Sequence, residues 1–444
     1  MKFKVAVAVC FLFAGLGPLV SFAQDPSTKP REATPPAEVR LSLNEVIAEG
    51  LRQNPGVQSA LHTLEAQRHK IPQAKSLADP QVSAGWMGNV APFSLQQGDP
   101  SSYRGVSVSQ EFPYPGKLKL RGQIASKDVD AAQWDYESVR RRVVADLKSA
   151  YFDYFFYSKA LEITRKDKDL LQKLSSISEA RYRVGKGMQQ DVLRSQVEIS
   201  LLLQKITVME QQQATAQARL NTLMARSPES PLPPPADVEA TGLYENLDDL
   251  YAAAKANDTS LQREQQMVEK NQFAVQLAHK DYQPDFGVAY TYQQRSMGLP
   301  DMNGMMFTVN VPLFYKTKQR EEVRQATEEV LSAERSRANR ANELQFELKQ
   351  LFLSAQASKQ LLDLYAKAVV PQSSLALESS MSAYQVGTVD FLTVLSNFST
   401  ILSYEVDYYR ELANYQTSLA RMESLVGMDL TSVPAGPNAM ESKP

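Results

Sequence analysis

The residues with the most distinctive chemistry are four methionines that fall within ten positions. Met297, Met302, Met305 and Met306 lie close together in the second half of the chain. Thioether sulfur is a soft ligand that suits Cu(I) or Ag(I). Methionine is also a common apolar filler, so these residues are metal-site candidates and no more. We predict no firm metal site and no cofactor.

The rest of the composition argues against enzymatic chemistry. The chain has three histidines (His62, His69 and His279) and one cysteine, Cys10. No nucleophile–base pair, cluster of metal ligands or phosphate-binding loop is found, so we predict that the protein is not an enzyme. The 48 basic and 50 acidic residues give a net charge of −2, without the basic field that a nucleic-acid partner would need.

The amino terminus has the pattern of an export signal. Lys2 and Lys4 precede an apolar core over 5–20, and a small-x-small cleavage site ends at Ala23. We therefore predict a signal peptide over 1–23, a flexible lead-in over 24–40 and a flexible tail over 431–444. Cys10 lies inside the apolar core; its lipidation is the alternative, but would leave only a very short core.

Landmarks of the sequence recur after about 200 positions. Pro80 matches Pro284 at an offset of 204, and Tyr182 matches Tyr384 at an offset of 202. A repeat of this length predicts two similar structural units side by side. We assign the first repeat to 41–227, a proline-rich linker to 228–245 and the second repeat to 246–430.

Each repeat is predicted to run helix, strand, strand, long helix, helix, a mainly α fold with a small antiparallel β part. The first helix is expected over 43–78 and again over 247–281. The longest helix is expected over 117–184, with Gly122 as its one weak breaker, and its counterpart should kink at Pro371. Glycines end these helices, and return helices follow over 191–224 and 390–426.

Between the helices the periodicity changes to two. In the second repeat the apolar positions are Phe286, Val288, Tyr290, Tyr292, Phe307, Val309, Val311 and Leu313. The first repeat alternates more weakly at Val82, Ala84 and Trp86 and at Val106 and Val108. Strands with one apolar face suit the wall of a membrane β-barrel, although a hairpin in a soluble sheet gives the same pattern.

Four strands do not close a barrel. Hydrocarbon does not tolerate an open sheet edge, so lipid-facing strands would have to pair between chains. Three chains with four such strands each would supply twelve. If the strands face outer-membrane lipid, the strand count therefore predicts an oligomer.

In order and spacing, these features resemble the TolC-like outer-membrane efflux proteins. The resemblance covers about 41–430 and rests on the duplication, the strand pairs, the strand-exit segments 109–117 and 311–314, and the Tyr-x-Val-Gly turns. It implies a homotrimeric α/β-barrel channel, with a twelve-stranded barrel in the outer membrane and a twelve-helix tunnel across the periplasm. It also implies a passive exit duct that works with an inner-membrane pump and a periplasmic adaptor (membrane fusion) protein.

The resemblance assigns the ends of the helical hairpins to the periplasmic tip, where an adaptor would dock. The residues concerned are Arg181, Tyr182, Val184, Gly185, Gly187, Tyr384, Val386, Gly387 and Thr388. Glycine permits tight turns and close backbone approach. Plain helix-turn-helix punctuation explains the glycines equally well.

Family members often constrict the tip with carboxylates just beyond the second turn. Here Thr393 and Ser396 stand at those positions, so the acidic pair is missing. We expect Asp390, together with Asp191 or Tyr384, to form the gate. Helix N-capping is the alternative role for an aspartate that opens a helix.

Other functions stay open at this point. The Pro-Gly-Lys strand exit over 115–117 resembles the heavy-metal efflux subgroup, which makes metal export an alternative to general efflux. A type I protein-secretion duct would share the same architecture. A periplasmic coiled-coil adaptor or tether without a pore would share the long helices but would not need two lipid-facing strand pairs.

Overall fold

The computed structural model describes residues 40–242, 246–296 and 298–430. The predicted signal peptide over 1–23 with Cys10, the lead-in up to 39, the tail over 431–444 and Met297 lie outside the described residues. The described chain is mainly helical with one small antiparallel sheet, which confirms the predicted fold class. Within these residues, no helix is both long and apolar enough to cross a membrane.

Before the linker, the elements are α1 (Leu43–Gln53), α2 (Pro55–Arg68), α3 (Lys70–Lys75), β1 (Gln81–Met87), β2 (Tyr103–Phe112), α4 (Lys117–Arg183) and α5 (Gln189–Leu223). After it come α6 (Leu247–Asn257), α7 (Thr259–Lys280), β3 (Asp285–Arg295), β4 (Met302–Asn310), α8 (Gln319–Leu364), a π-helical turn (Tyr365–Val369), α9 (Val370–Val386) and α10 (Phe391–Val426).

The first helix of each half is broken, contrary to the prediction of continuous helices over 43–78 and 247–281. Asn54 ends α1 and caps α2 by accepting hydrogen bonds from the backbone N–H groups of Gly56 and Val57, while Pro55 opens α2. Asp258 separates α6 from α7 in the same way, by accepting from Leu261 N–H. A capping side chain at these positions outweighs the continuous helical periodicity.

The same hydrogen bond ties both breaks to the return helices. Asn54 Nδ2 donates to the carbonyl oxygen of Leu223 (2.9 Å), and Asn257 Nδ2 donates to the carbonyl oxygen of Val426 (3.1 Å). Donor and acceptor both recur at an offset of 203. The two halves therefore share a tertiary contact as well as an element order.

The longest helix, α4, runs unbroken through Gly122 for 67 residues, about 100 Å at 1.5 Å per residue. Near its middle it buries Tyr151, Phe152 and Phe155 almost completely. Burial of one such aromatic side chain contributes roughly 1.5–3 kcal/mol. Tyr151 also donates to the carbonyl oxygen of Leu41 and accepts from Ala236 N–H, so the linker crosses the bundle at this level.

The helices of the second half differ from the prediction in two places. In place of a kink at Pro371, a π-helical turn covers Tyr365–Val369, and only Val370 separates it from the proline. Proline has no N–H to continue the α-helical hydrogen bonds. The last strand ends at Asn310, not at Leu313, because Pro312 likewise cannot donate to a ladder. Val311 and Leu313 are exposed in the segment that leads to α8.

The helices pack side by side. α4 contacts α5, α7 and α10, and α8 contacts α7 and α10. The buried side chains of α4 and α10 form most of the core, which is divided into two hydrophobic clusters along the bundle. α5 and α8 thus lie at the two margins of the helical layer.

Candidate functional site

The four strands form one antiparallel sheet in the order β1-β2-β3-β4. The register aligns residues across all four strands, for example Val82, Val108, Tyr290 and Met305 in one row. Since side chains alternate between faces along a strand, the register places the apolar positions on one face. These are Val82, Ala84, Trp86, Val106, Val108, Phe112, Phe286, Val288, Tyr290, Tyr292, Met305, Phe307 and Val309.

The opposite face carries small and polar residues. One row consists of Ser83, Ser107, Thr291 and Gly304, and Thr291 Oγ1 donates to Ser107 Oγ at 3.0 Å. The exposed apolar face is the unusual one, since Val82 and Phe307 are each 72% exposed in the single chain. A sheet with one broad exposed apolar face suits contact with lipid, and its other face suits contact with water.

The three described methionines of this group are not brought together as a metal site. Met302, Met305 and Met306 lie in β4, and Met297 lies outside the described residues. Met305 is on the apolar face, whereas Met302 and Met306 are on the polar face and are separated by four residues, about 13 Å along a strand. No single ion reaches both sulfur atoms. Within the described residues, no group of His, Cys, Asp or Glu forms a metal site either.

The sheet is joined to the long helix by a buried lysine. Lys117, the first residue of α4, places Nζ 3.1 Å from Asp281 and 2.9 Å from Asp285, and its side chain is 3% exposed. Asp285 Oδ1 also accepts from Tyr114 N–H at 2.7 Å. Lys117 is therefore a partnered structural charge, and it fixes α4 against the start of β3.

At the other end of the bundle, two helical hairpins turn at glycines. Gly185 (φ +71°) follows α4, and Gly387 (φ +88°) follows α9; both have left-handed backbone that favours glycine. Gly387 has a second reason to lack a side chain, because an added Cβ would lie 3.2 Å from Arg181 Nη2.

Arg181 connects the two turns. It donates from Nη1 to the carbonyl oxygens of Tyr384 and Gln385, the latter at 3.0 Å, and from Nη2 to the carbonyl oxygen of Lys186 at 3.1 Å. Its guanidinium also lies 4.8 Å from the centroid of the Tyr384 ring, within cation–π range. The sequence indicated Arg181 as a tip residue but not its link to the second hairpin.

Tyr384 is the second member of this link, and its place in the gate stays a prediction. It is 3% exposed, its ring packs 5.7 Å from that of Phe391, and its hydroxyl donates to Ser178 Oγ at 3.2 Å. The other predicted tip residues Tyr182, Val184, Val386 and Thr388 are exposed, and Gly187 is partly exposed. They form the end surface of the two hairpins.

Asp390 caps α10. Its Oδ1 accepts from the backbone N–H of Thr393 at 3.2 Å and from the Thr393 hydroxyl group. These hydrogen bonds lower the pKa of the fully exposed Asp390 carboxyl group. Asp191, in contrast, lies in the first turn of α5, where Met188 holds the N-cap position. Thr393 and Ser396 are exposed near the start of α10.

The two marginal helices each carry a second apolar stripe. On α5, the exposed residues Leu193, Val197, Leu201 and Val208 lie opposite the buried stripe that faces α4. On α8, Phe346, Leu353 and Leu364 are exposed opposite its own buried stripe. At 100° per residue these positions share one side of their helix, and such a second stripe indicates a second packing partner.

A family model described as outer membrane efflux protein matches residues 46–226 and 250–428. The chain belongs to the outer membrane efflux protein family. The suspected TolC-like resemblance is thereby confirmed, and so is the prediction of an efflux duct of the outer membrane that is not an enzyme.

Solved structures share the fold of this efflux protein at low sequence identity. The outer membrane protein VceC from Vibrio cholerae matches with a TM-score of 0.73 and 16% identity, covering 87% of this chain and 96% of VceC. The CmeC outer membrane channel of Campylobacter jejuni matches with a TM-score of 0.74 and 13% identity, covering 92% of this chain and 94% of CmeC.

A curated relative matches over a shorter region. Nodulation protein T from Rhizobium leguminosarum bv. viciae is 24% identical over 160 residues, which is 35% of this efflux protein. The match spans about a third (32%) of the length of that relative.

Proposed function

We propose that three copies of this efflux protein close into one duct through the outer membrane and the periplasm. β1 and β4 are the outer strands of a sheet whose apolar face is exposed, and each has one edge that no described strand pairs. In lipid those edges must pair, and the available partner is another copy, β4 of one with β1 of the next. Three copies of four strands give a twelve-stranded barrel.

The helical layer supports the same closure. Its margins, α5 and α8, carry the two unpartnered apolar stripes, so α5 of one copy would pack against α8 of the next. Head-to-tail contacts of this kind form a closed ring when the rotation from one copy to the next is a whole fraction of a full turn. The single observation that carries the proposal is this coincidence of unpaired strand edges and unpaired apolar helix margins in one chain.

We infer that the regions 41–227 and 246–430 are two equivalent repeats joined by the linker over 228–245. Each supplies one strand pair in outer-membrane lipid and one helical hairpin in the periplasm of a Gram-negative-type cell. The repeated hydrogen bonds of Asn54 and Asn257 support this division. The chain would reach its site as an exported protein after removal of the signal peptide over 1–23.

We propose that the hairpin ends are the docking surface for a periplasmic adaptor, which would connect the duct to an inner-membrane pump. The support is the exposed end surface, in which Tyr182 is 45%, Val184 67% and Val386 77% exposed. Exposed apolar residues at the end of a helical bundle suit a protein partner. Arg181, Gly185, Gly187, Gly387 and Thr388 would shape that surface from within or beside it.

We propose that the candidate gate is formed by Asp390, Asp191, Thr393 and Ser396 around the mouth of the duct. Capping and gating do not conflict for Asp390, since one oxygen suffices to cap α10. General efflux agrees better than metal export with the separated methionines, of which Met302 and Met306 would line the water-facing side.

The test is single-channel recording in planar bilayers with the purified protein. We expect a discrete conductance that increases in Asp390→Ala and Asp191→Ala pores if these carboxylates restrict the mouth. Discrete pores with unchanged conductance in both variants would leave the duct in place and remove the gate proposal. Failure to form any discrete pore would contradict the duct itself.

A further inference from the structure

Among the described strand residues of the apolar face, Arg104 is the one charged side chain. The register places it in a row with Trp86 and Gln294, on the same face as Val108. This row lies at the end of the sheet away from the helices. On a lipid-facing surface an arginine is costly at the middle of the bilayer and nearly neutral at its boundary. Arg104 therefore marks the level at which this face leaves the hydrocarbon.

The guanidinium group of Arg104 is held in place but not neutralised. Its Nε donates to Gln294 Oε1 at 2.8 Å, and its Nη1 donates to the carbonyl oxygen of Phe93 at 3.3 Å. Its Nη2 bonds to no described residue, and no described carboxylate forms an ion pair with the group. Asp301, just before β4, accepts from the Tyr292 hydroxyl group instead. The fixed fork therefore offers donors and a full positive charge to an anion outside the chain.

The loop between β1 and β2 adds an exposed apolar patch beside this charge. The Phe93 ring packs 4.9 Å from the Trp86 ring, centroid to centroid, and Trp86 Nε1 donates to the carbonyl oxygen of Asn89 at 3.0 Å. Residues 89–93 thus fold back beside the apolar face, with Val90 97% and Phe93 46% exposed. Phe93 has left-handed backbone (φ +55°), which is unfavourable for a bulky residue and persists only where its surroundings hold it.

Hydrogen bonds to the end of β3 fix the rest of this loop. The backbone N–H of Gln96 donates to Ser102 Oγ at 2.8 Å, and its carbonyl oxygen accepts from Ser296 Oγ at 3.0 Å. Arg295 Nη2 donates to the carbonyl oxygen of Pro100 at 2.9 Å. The loop is therefore a built part of the sheet end, and the patch beside Arg104 is already ordered before any ligand binds.

We propose that Arg104, together with the apolar patch of Trp86, Val90 and Phe93, binds a phosphorylated lipid of the outer leaflet. The guanidinium group holds the phosphate, and the patch contacts the acyl chains next to it. Tryptophan has an apolar body and a polar N–H, which suits the boundary between hydrocarbon and headgroups. The site rests on the proposed placement of the apolar sheet face in outer-membrane lipid. It depends on neither the gate nor the cargo.

Tryptophan fluorescence tests the phosphate contact, because the chain has only two tryptophans, Trp86 and Trp134. In the detergent-solubilised Trp134→Phe protein, Trp86 is the sole reporter, and titration with lipid A, a phosphorylated glycolipid, should change its emission saturably. Arg104→Gln in this background should bind on the order of ten-fold more weakly. The control is Arg295→Gln, since Arg295 pairs with Tyr103 on the opposite face of the same sheet end, and it should bind as the parent does. Inorganic phosphate should not compete, because it makes no contact with the apolar patch.

A second measurement tests the contact of the loop with acyl chains. In a protein with both native tryptophans replaced by phenylalanine, Val90→Trp places a single reporter at the exposed patch. We expect vesicles of brominated phosphatidylcholine to quench this reporter. Gln97→Trp in the same background is the control, because Gln97 is exposed in the same loop beyond the patch, and its emission should not be quenched.

Equal lipid A binding by Arg104→Gln and Arg295→Gln, or an unquenched Val90→Trp reporter, would overturn the proposal. If Arg104→Gln does not fold, Arg104→Lys keeps the charge but loses the planar fork, so it should still bind more weakly; unchanged binding would count against the site. Planar-bilayer recording separates this claim from the duct. Discrete pores formed by a protein that fails both fluorescence tests would keep the duct and reject the lipid site.

Discussion

The guanidinium group of Arg181 lies over the ring of Tyr384, 4.8 Å from its centroid, and donates a hydrogen bond to the carbonyl oxygen of the same residue. Arg181 lies in the last turn of α4, the outgoing helix of the first hairpin, and Tyr384 lies 203 positions later in the second hairpin. One side chain therefore holds together the ends of two hairpins that are distant in sequence. Movement of one hairpin away from the other must break this contact.

Replacement of Arg181 by alanine should loosen the hairpin ends. The variant loses hydrogen bonds from a charged donor, and one bond of this kind contributes about 1.5–3 kcal/mol to stability. We expect faster protease cleavage in 384–390 and a higher open probability in bilayers. Arg181→Lys should restore little of the protease resistance, because an ammonium group lacks the planar fork of donors that reaches several carbonyl oxygens. Arg183→Ala is the control, since the Arg183 side chain is 72% exposed and pairs within its own helix; equal effects of both variants would contradict the link.

Gly185 and Gly387, the glycines of the two hairpin turns, allow a matched comparison of the same substitution. Gly185→Ala and Gly387→Ala both place a Cβ on left-handed backbone, which costs roughly 1–2 kcal/mol. Only at Gly387 does the new atom also meet Arg181. We therefore expect Gly387→Ala to lower the thermal midpoint further than Gly185→Ala and to add the protease sensitivity of Arg181→Ala. Identical behaviour of the two variants would show that the close approach of Arg181 is unimportant.

Two substitutions distinguish the capping role of Asp390 from the effect of its charge on the pore. Asp390→Ser keeps a capping oxygen but removes the charge, whereas Asp390→Ala removes both. We expect the alanine variant alone to expose the start of α10 to hydrogen exchange. Both variants should reduce the permeability of the pore to cations relative to anions, because both remove a negative charge from its mouth. Because the pKa of Asp390 is lowered, its capping contribution should be present above the ordinary carboxyl pKa and lost as the pH falls through the lower folded value. Unchanged ion selectivity in Asp390→Ser would restrict the residue to capping.

Neighbouring residues of β2 test the assignment of the sheet faces. Val108→Lys puts a charge on the apolar face and should cost about 2–4 kcal/mol near the membrane midplane. Ser107→Lys puts it on the polar face and should fold normally while changing conductance. Folding into lipid vesicles, followed by heat-modifiable migration on gels, distinguishes the two. The assignment is reversed if Ser107→Lys is the variant that fails to insert.

The apolar margin of α5 tests how copies meet. Val197 is 58% exposed at the centre of the stripe, so Val197→Glu should bury a charge between copies and shift detergent-solubilised protein towards monomers. Gln196→Glu, one position away and off the stripe, should leave the assembly intact. Size-exclusion chromatography with light scattering reports the outcome, and a Val197→Glu oligomer as stable as wild type would exclude this margin from the interface.

The sequence was sufficient to predict an element where one periodicity extends over many residues. The unbroken α4 and the apolar alternation of β3 follow from patterns that tertiary contacts only reinforce. It was insufficient where a single side chain determines the end of an element. Asn54 and Asp258 end helices whose periodicity continues. Pro312 ends a strand at Asn310, three residues before the apolar pattern ends at Leu313.

In the candidate site, too, some features could be predicted from local sequence patterns and others could not. Gly185 and Gly387 could be placed at turns, because glycine beside a periodic segment marks a helix end. The link from Arg181 to Tyr384 joins residues 203 positions apart, and no local pattern encodes such a distance.

The central claim is that three copies close one duct, and native mass spectrometry of the protein extracted from outer membranes tests it most directly. The account predicts a single species whose mass corresponds to three copies of the mature chain. A soluble monomer in the periplasmic fraction, or a membrane species with a copy number other than three, would contradict it.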